Sequence, residues 1–114
     1  MPTPESKVKK KVREILDKRE PNYFFMPSMN GYGSSGVPDF IACIDGRFIG
    51  IECKADGNQP TRLQLKNLQR IVDAGGHAFV VNYESLGVFS MMLDETISGR
   101  SNVRGVFDFT KTKE

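Results

Sequence analysis

The sequence contains few residues of the kinds that define disulfide-rich, metal-cluster or membrane proteins. Among its 114 residues are two cysteines, one histidine and no tryptophan. Cys43 and Cys53 lie in apolar, strand-like segments without a CxxC spacing, so we expect reduced, buried thiols rather than a disulfide or a zinc site. Reduced cysteines are typical of a cytosolic compartment.

Long apolar runs are also missing. None approaches the roughly 20 residues of a membrane-spanning helix, and Met1–Glu5 lacks the apolar core of a secretory signal, so we expect a cytoplasmic protein with no membrane partner. The net charge of +2 permits contact with nucleic acid but does not by itself indicate it. The length suits a single domain, residues 1–114, with a core at about 3–82 and a C-terminal helix and tail at about 83–114.

The most informative stretch, residues 36–54, predicts a β-hairpin. Two apolar runs are separated by Asp45-Gly46, a dipeptide that readily supplies the positive φ angles of a type I′ turn. Such a hairpin brings Asp39, at the start of its first strand, back toward Glu52 and Lys54, at the end of its second. Because Glu52 and Lys54 are two residues apart in a strand, they point to the same face.

Two carboxylates and one ammonium on neighbouring strands suit phosphodiester hydrolysis. Asp39 and Glu52 can hold Mg²⁺ or Mn²⁺, which would neutralise the leaving oxygen and lower the pKa of a bound water. The Lys54 ammonium can stabilise charge that develops on the phosphate or orient the water. The backbone carbonyl of Cys53 could add a metal ligand. The pattern therefore makes Asp39, Glu52 and Lys54 candidate catalytic residues.

A first helix is predicted from Thr3 as its N-cap and Pro4 at its first position. Its apolar stripe has helical spacing and consists of Val8, Val12, Ile15 and Leu16. Glu5 lies on the same inward face, where a carboxylate needs a partner. Local evidence leaves two interpretations open: a metal ligand, or a favourable charge in the first helical turn.

Four basic residues of this helix lie off the apolar stripe: Lys7, Lys10, Lys11 and Arg13. Their pattern favours a face that is simply exposed to solvent. The alternative is a face that attracts phosphate groups near the site.

A second helix begins at the capping-box pattern Thr61-x-x-Gln64 and extends to about Ala74. Gln64 borders the face that packs on the sheet, and its local pattern favours a cap over orienting a water or a phosphate. The strand His77–Asn82 follows this helix and should run parallel to the strand before it. The other predicted elements are a strand at 23–26, a Gly/Ser/Asn-rich loop at 28–36, a helix at 85–93, an edge strand or partner-binding tail at 103–109, and a frayed end at 111–114.

Several short motifs together resemble the VRR-NUC domain, the virus-type replication-repair nuclease domain of the PD-(D/E)xK nuclease superfamily. The motifs are Gly36-Val37-Pro38-Asp39, Ile51-Glu52-Cys53-Lys54, Pro60-Thr61-x-x-Gln64 and Gly75-Gly76-x-Ala78-x-Val80-Val81. The resemblance covers about residues 3–82. It is greatest to small stand-alone members found in phages and prophages, with Asn30-Gly31-Tyr32-Gly33-x-Ser35-Gly36 as a further match.

The resemblance implies an α/β fold with a restriction-endonuclease-like αβββαβ core and a mixed central sheet. It implies metal binding by Asp39 and Glu52 and a catalytic role for Lys54, and it favours a place in the site for Glu5 and Gln64. The implied activity is a Mg²⁺- or Mn²⁺-dependent DNA endonuclease in a bacterial or phage-infected cell. The alternative is a nuclease-fold nucleic-acid-binding module or subunit with little activity alone.

The resemblance also implies a homodimer that acts on branched DNA such as four-way junctions. Dimerisation has a physical rationale, because symmetric cleavage of two strands needs two active sites. We expect the helix at 85–93 and the C-terminal segment to contribute to the dimer contact.

Overall fold

The computed structural model describes residues 2–28, 36–101 and 104–111. Within these ranges the chain forms three helices and five strands. In order they are α1 (Pro4–Asp17), β1 (Asn22–Phe25), β2 (Phe40–Ile44), β3 (Arg47–Cys53), α2 (Arg62–Asp73), β4 (His77–Val81), α3 (Leu86–Ile97) and β5 (Val106–Asp108). The predicted α/β class is confirmed, and the first six elements have the predicted αβββαβ order, compatible with a restriction-endonuclease-like core.

The five strands form one mixed sheet in the order β1-β2-β3-β4-β5. Neighbouring strands from β1 to β3 are antiparallel, whereas β4 runs parallel to β3 and β5 parallel to β4. The parallel pairing of β3 with β4 agrees with the sequence, because a parallel connection needs a crossover such as α2. The segment predicted as an edge strand or a partner-binding tail contributes the edge strand β5.

Helices cover both faces of the sheet. On one face, α1 and α3 bury apolar side chains against the strands, including Val8, Leu16 and Phe89. On the other face, α2 packs Leu68 and Val72 against β4. The predicted apolar stripe of α1 is buried at three of its four positions, while Ile15 is partly exposed. The catalytic candidates therefore lie on, or directly beside the ends of, strands β2 and β3, and this sheet is covered by helices on both faces.

The β2–β3 hairpin has the predicted turn. Asp45 and Gly46 both have positive φ angles, 48° and 86°, as a type I′ turn requires. Ile44 pairs directly with Arg47 on either side of this two-residue loop. The turn therefore fixes the register of the whole hairpin, including its far end.

Two helices begin where their capping patterns predict. The Thr3 hydroxyl accepts a hydrogen bond from the Ser6 N–H. Thr61 and Gln64 form the reciprocal capping box, with distances of 2.8 and 3.1 Å. The third helix, α3, extends to Ile97 and is longer than predicted.

One prediction about the cysteines is wrong. Cys53 is buried, but Cys43 is exposed because it occupies an outward position of β2. Both are free thiols. Most of the predicted Gly/Ser/Asn-rich loop, residues 29–35, lies outside the described residues, as do 102–103 and 112–114 of the predicted C-terminal segments. Within the described part of the chain, no helix is long and apolar enough to span a membrane.

Candidate active site

The hairpin register brings Asp39 and Glu52 to one edge of the sheet. Phe40 pairs with Ile51, so one further step in the register sets Asp39 opposite Glu52, on the same face. Asp39 Oδ2 accepts a hydrogen bond of 2.8 Å from the backbone N–H of Cys53. This bond ties the Asp39 carboxylate to the end of β3 and fixes its orientation.

Glu52 is a buried carboxylate, and its two oxygens have different surroundings. Its side chain is only 3% exposed. Oε2 lies 3.6 Å from the Lys54 Nζ, whereas the buried Oε1 has no hydrogen-bond partner among the described residues. Burial first, and then the negative charge of Asp39, raise the pKa of Glu52 to about 8, while Lys54 acts in the opposite direction. The site therefore gains stability from a proton or an additional cation.

The donor set fits a hard divalent cation that keeps water in its coordination shell. In residues 2–28, 36–101 and 104–111, no three His, Cys, Asp or Glu side chains form a ready-made metal cage. Mg²⁺ commonly uses one or two carboxylates and completes its shell with water and substrate phosphate. Asp39 and Glu52, whose Oε1 has no partner in the part of the chain that the structure describes, match that requirement better than an all-protein zinc site does.

Lys54 shares the face of Glu52 and is nearly as enclosed, with 12% of its side chain exposed. Its backbone N–H donates a 2.9 Å hydrogen bond to the Val81 carbonyl, which continues the pairing of β3 with β4 beyond Cys53. The ammonium is thus placed on rigid backbone beside a carboxylate, where it can meet negative charge on a bound phosphate.

Lys9 joins the site, although the sequence does not single it out. Its Nζ lies 3.5 Å from Glu5 Oε2 and 3.5 Å from Asp39 Oδ1. Burial alone would lower the pKa of Lys9, but the Asp39 and Glu5 carboxylates outweigh it and raise the pKa. The available sequence signal was the i,i+4 spacing of Glu5 and Lys9 on a helix.

Glu5 and Gln64 have other contacts, and within the described residues no hydrogen bond or ion pair joins either of them to Asp39 or Glu52. Glu5 contacts Lys9, and through Lys9 it is linked to Asp39. The Gln64 Oε1 accepts the Thr61 N–H at 2.8 Å, so the capping role is present. A metal-binding role for Glu5 and a water-orienting role for Gln64 stay predictions.

Cys53 contributes through its backbone rather than its thiol. The N–H that holds Asp39 belongs to this residue. Burial first, and then the charges of Asp39 and Glu52, raise the pKa of the Cys53 thiol far above its usual range. The thiol is therefore neutral and unsuited to bind a metal. Its carbonyl as a metal ligand stays a prediction.

No protein-family model matches the chain. Over 55 residues, the chain is 38% identical to a protein named "Putative nuclease p44" from Acyrthosiphon pisum secondary endosymbiont phage 1. The match covers 47% of this chain and 59% of that protein, so the chain spans less than two thirds of its relative's length. The chain is thus similar, over about half of its length, to a phage protein that is named as a nuclease.

Proposed function

We propose that this protein is a DNA endonuclease that hydrolyses phosphodiester bonds with the help of a divalent metal ion. The observation that carries the proposal is the approach of Asp39, Glu52 and Lys54, in which a buried Glu52 oxygen has no partner among the described residues. The similarity to a phage protein named as a nuclease supports the same chemistry.

Asp39 and Glu52 are the proposed ligands of Mg²⁺ or Mn²⁺, with the Cys53 carbonyl and Glu5 as further candidates. When bound, such an ion supplies positive charge at the phosphate and Lewis acidity toward water. The protein's own part is to hold the two carboxylates in place before substrate arrives. The hydrogen bond from the Cys53 N–H does this for Asp39, and the position of Glu52 within β3 does it for the second carboxylate.

Lys54 is the proposed catalytic lysine. Its ammonium stabilises negative charge on the phosphate oxygens and orients the attacking water. We also propose that Gln64 orients a water or a phosphate in addition to capping α2. Its Oε1 accepts the capping hydrogen bond from Thr61, whereas its NH₂ group is a donor that can bind a water or a phosphate oxygen.

A basic residue of α1 supports DNA as the substrate. Lys7 lines a cleft of about 400 Å³ together with Ala55 and Asp56, which directly follow Lys54. A lysine beside a hydrolytic site attracts the phosphate backbone. We further propose a homodimer that acts on branched DNA such as four-way junctions, since two sites are needed to cut two strands.

A cleavage panel tests the proposal. Purified protein is incubated with duplex, flap, fork and four-way junction DNA in Mg²⁺, in Mn²⁺ and in EDTA. We expect metal-dependent cleavage with a preference for branched substrates. Glu52→Gln should lose cleavage, while Glu14→Gln, an equal change at an exposed residue of α1, should keep it.

Activity that persists in EDTA would contradict the metal mechanism, and equal cleavage by Glu52→Gln would contradict the site assignment. Junction binding without cleavage in either metal would instead favour the alternative, a nucleic-acid-binding module or subunit on the same fold.

A further inference from the structure

Lys9 occupies the position of a counter-ion to the acidic cluster. Its ammonium lies 3.5 Å from a carboxylate oxygen of Glu5 and 3.5 Å from one of Asp39. The two acids belong to different parts of the chain, helix α1 and the segment entering β2. One cation therefore joins the helix to the proposed metal ligand.

The environment of Lys9 differs from that of an ordinary surface ion pair. The Asp39 side chain is only 18% exposed and that of Lys9 31%, compared with 48% and 49% for the Lys11–Glu14 pair on the same helix. Charges that are partly withdrawn from water interact more strongly than exposed ones. Neutralisation by Lys9 thus acts on the carboxylate that the metal would need.

Each oxygen of the Asp39 carboxylate already has a partner while Lys9 is in place. Its Oδ2 accepts the Cys53 N–H and its Oδ1 faces the Lys9 ammonium. A divalent ion at Asp39 and Glu52 would be repelled by an ammonium at this distance, and the long lysine side chain can swing toward solvent.

We propose that Lys9 is a built-in counter-ion that stabilises the acidic cluster without metal and leaves Asp39 when a divalent ion binds. Lys9 is thereby a positioning residue that weakens metal binding and sets the concentration at which the site fills. The inference rests on the proposed metal-dependent function and adds to it a competition between a side chain and the ion.

Metal affinity is the decisive measurement. Protein stripped of metal with EDTA and dialysed is titrated with Mn²⁺, and free Mn²⁺ is followed by electron paramagnetic resonance. We expect Lys9→Met to bind Mn²⁺ roughly 3- to 10-fold more tightly than the wild type, because a competing charge is removed. Lys10→Met, an identical change at the adjacent exposed residue, should leave the affinity near the wild-type value.

Two further variants separate charge from packing. Lys9→Arg keeps the positive charge and should restore near-wild-type Mn²⁺ affinity. Without metal, Lys9→Met should unfold at a lower temperature than Lys10→Met, because Asp39 and Glu5 lose their shared cation. A larger gain in melting temperature on adding Mn²⁺ should accompany the tighter binding.

The outcomes distinguish this inference from the function on which it rests. Unchanged or weaker Mn²⁺ binding by Lys9→Met overturns the inference alone, provided that Glu52→Gln abolishes binding. Equal Mn²⁺ binding by the wild type and Glu52→Gln removes the metal site, and the proposed function and the inference fall together.

Discussion

The buried Glu52 carboxylate lowers the stability of the metal-free fold and is also a proposed ligand of the metal ion. A carboxylate that is nearly fully buried, with one oxygen that no described residue pairs, destabilises the folded chain, since burying an unsatisfied polar group has an energetic cost. The nearby Asp39 charge adds repulsion. A divalent cation relieves both effects, so the feature that weakens the metal-free fold is the one that would recruit the ion.

The raised pKa of Glu52 determines how the free energy of unfolding should depend on pH when no metal is bound. The pKa of Glu52 is raised from 4.5 to about 8 in the folded chain. Below pH 4.5 the group is protonated in both states; as the pH rises toward 8, the unfolded state ionises first, so the free energy of unfolding falls. Thermal unfolding in EDTA between pH 4.5 and 8 should show this loss of stability.

The matched variant is Glu52→Gln, which keeps the shape of the side chain but cannot ionise. Its melting temperature in EDTA should decline less with pH and should exceed that of the wild type at pH 8. An unchanged pH slope would show that Glu52 does not titrate in this range.

Substitution of Lys54 should reduce DNA cleavage without abolishing metal binding. Lys54→Met keeps most of the side-chain volume but removes the ammonium that faces Glu52. We expect cleavage to fall by about 10²- to 10³-fold, the usual cost of removing one group that stabilises a developing charge. Mn²⁺ binding should persist in calorimetry, and a variant that loses the metal would move Lys54 to a structural role.

The sequence predicts the acids and the lysine of the hairpin better than it predicts the contacts between elements. Asp39, Glu52 and Lys54 follow from a local turn and a strand period of two. Lys9 was missed because its contact with Asp39 depends on how α1 packs against the sheet. The exposed Cys43 has the same cause, since an apolar run does not reveal which positions stay uncovered.

At the level of elements, Gly36 sets how the hairpin enters beneath α2. Its φ is +87°, and an added Cβ would lie 2.9 Å from backbone atoms of Leu63. Both the backbone conformation and the close approach require glycine. Because Gly36 precedes Asp39 by three residues, this contact helps to place the first carboxylate.

Gly36→Ala should therefore destabilise the fold by about 1–3 kcal/mol in chemical denaturation. Gly57→Ala is the matched control, because Gly57 has a φ of +89° with no atom within 4 Å of an added Cβ. The excess loss at Gly36 measures the contact with Leu63. Equal losses for the two variants would show that the close approach contributes nothing beyond backbone strain.

Local signals predict the beginnings of elements more reliably than their ends. The caps at Thr3 and Thr61 and the turn at Asp45-Gly46 were predictable because side chains close in sequence satisfy nearby backbone groups. The additional length of α3 depends on tertiary packing, with Thr96 buried near its end. The sequence alone did not decide between an edge strand and a partner-binding tail for the segment that forms β5. That choice depends on pairing with β4, which is distant in the sequence.

For the whole molecule, the proposed homodimer needs a surface that one copy leaves uncovered. The sequence predicts a contribution from the third helix, and its outer side carries Val88 and Met91, which are 40% and 57% exposed. A second apolar area lies on the edge strand β1, where Tyr23 and Phe25 are 74% and 48% exposed. Exposed apolar side chains in groups mark contact surfaces, so the two areas compete for the role.

Introducing a lysine into each apolar area in turn shows which of the two forms the dimer interface. Met91→Lys should shift the protein to monomers in sedimentation equilibrium, weakening the dimer about tenfold or more, because an interfacial apolar anchor becomes a buried charge. Tyr23→Lys should leave the dimer intact, and the reverse result would move the interface to β1. A monomeric Met91→Lys variant should still nick single strands of a four-way junction but lose paired cuts, since each copy retains one complete site and symmetric cleavage requires two held together.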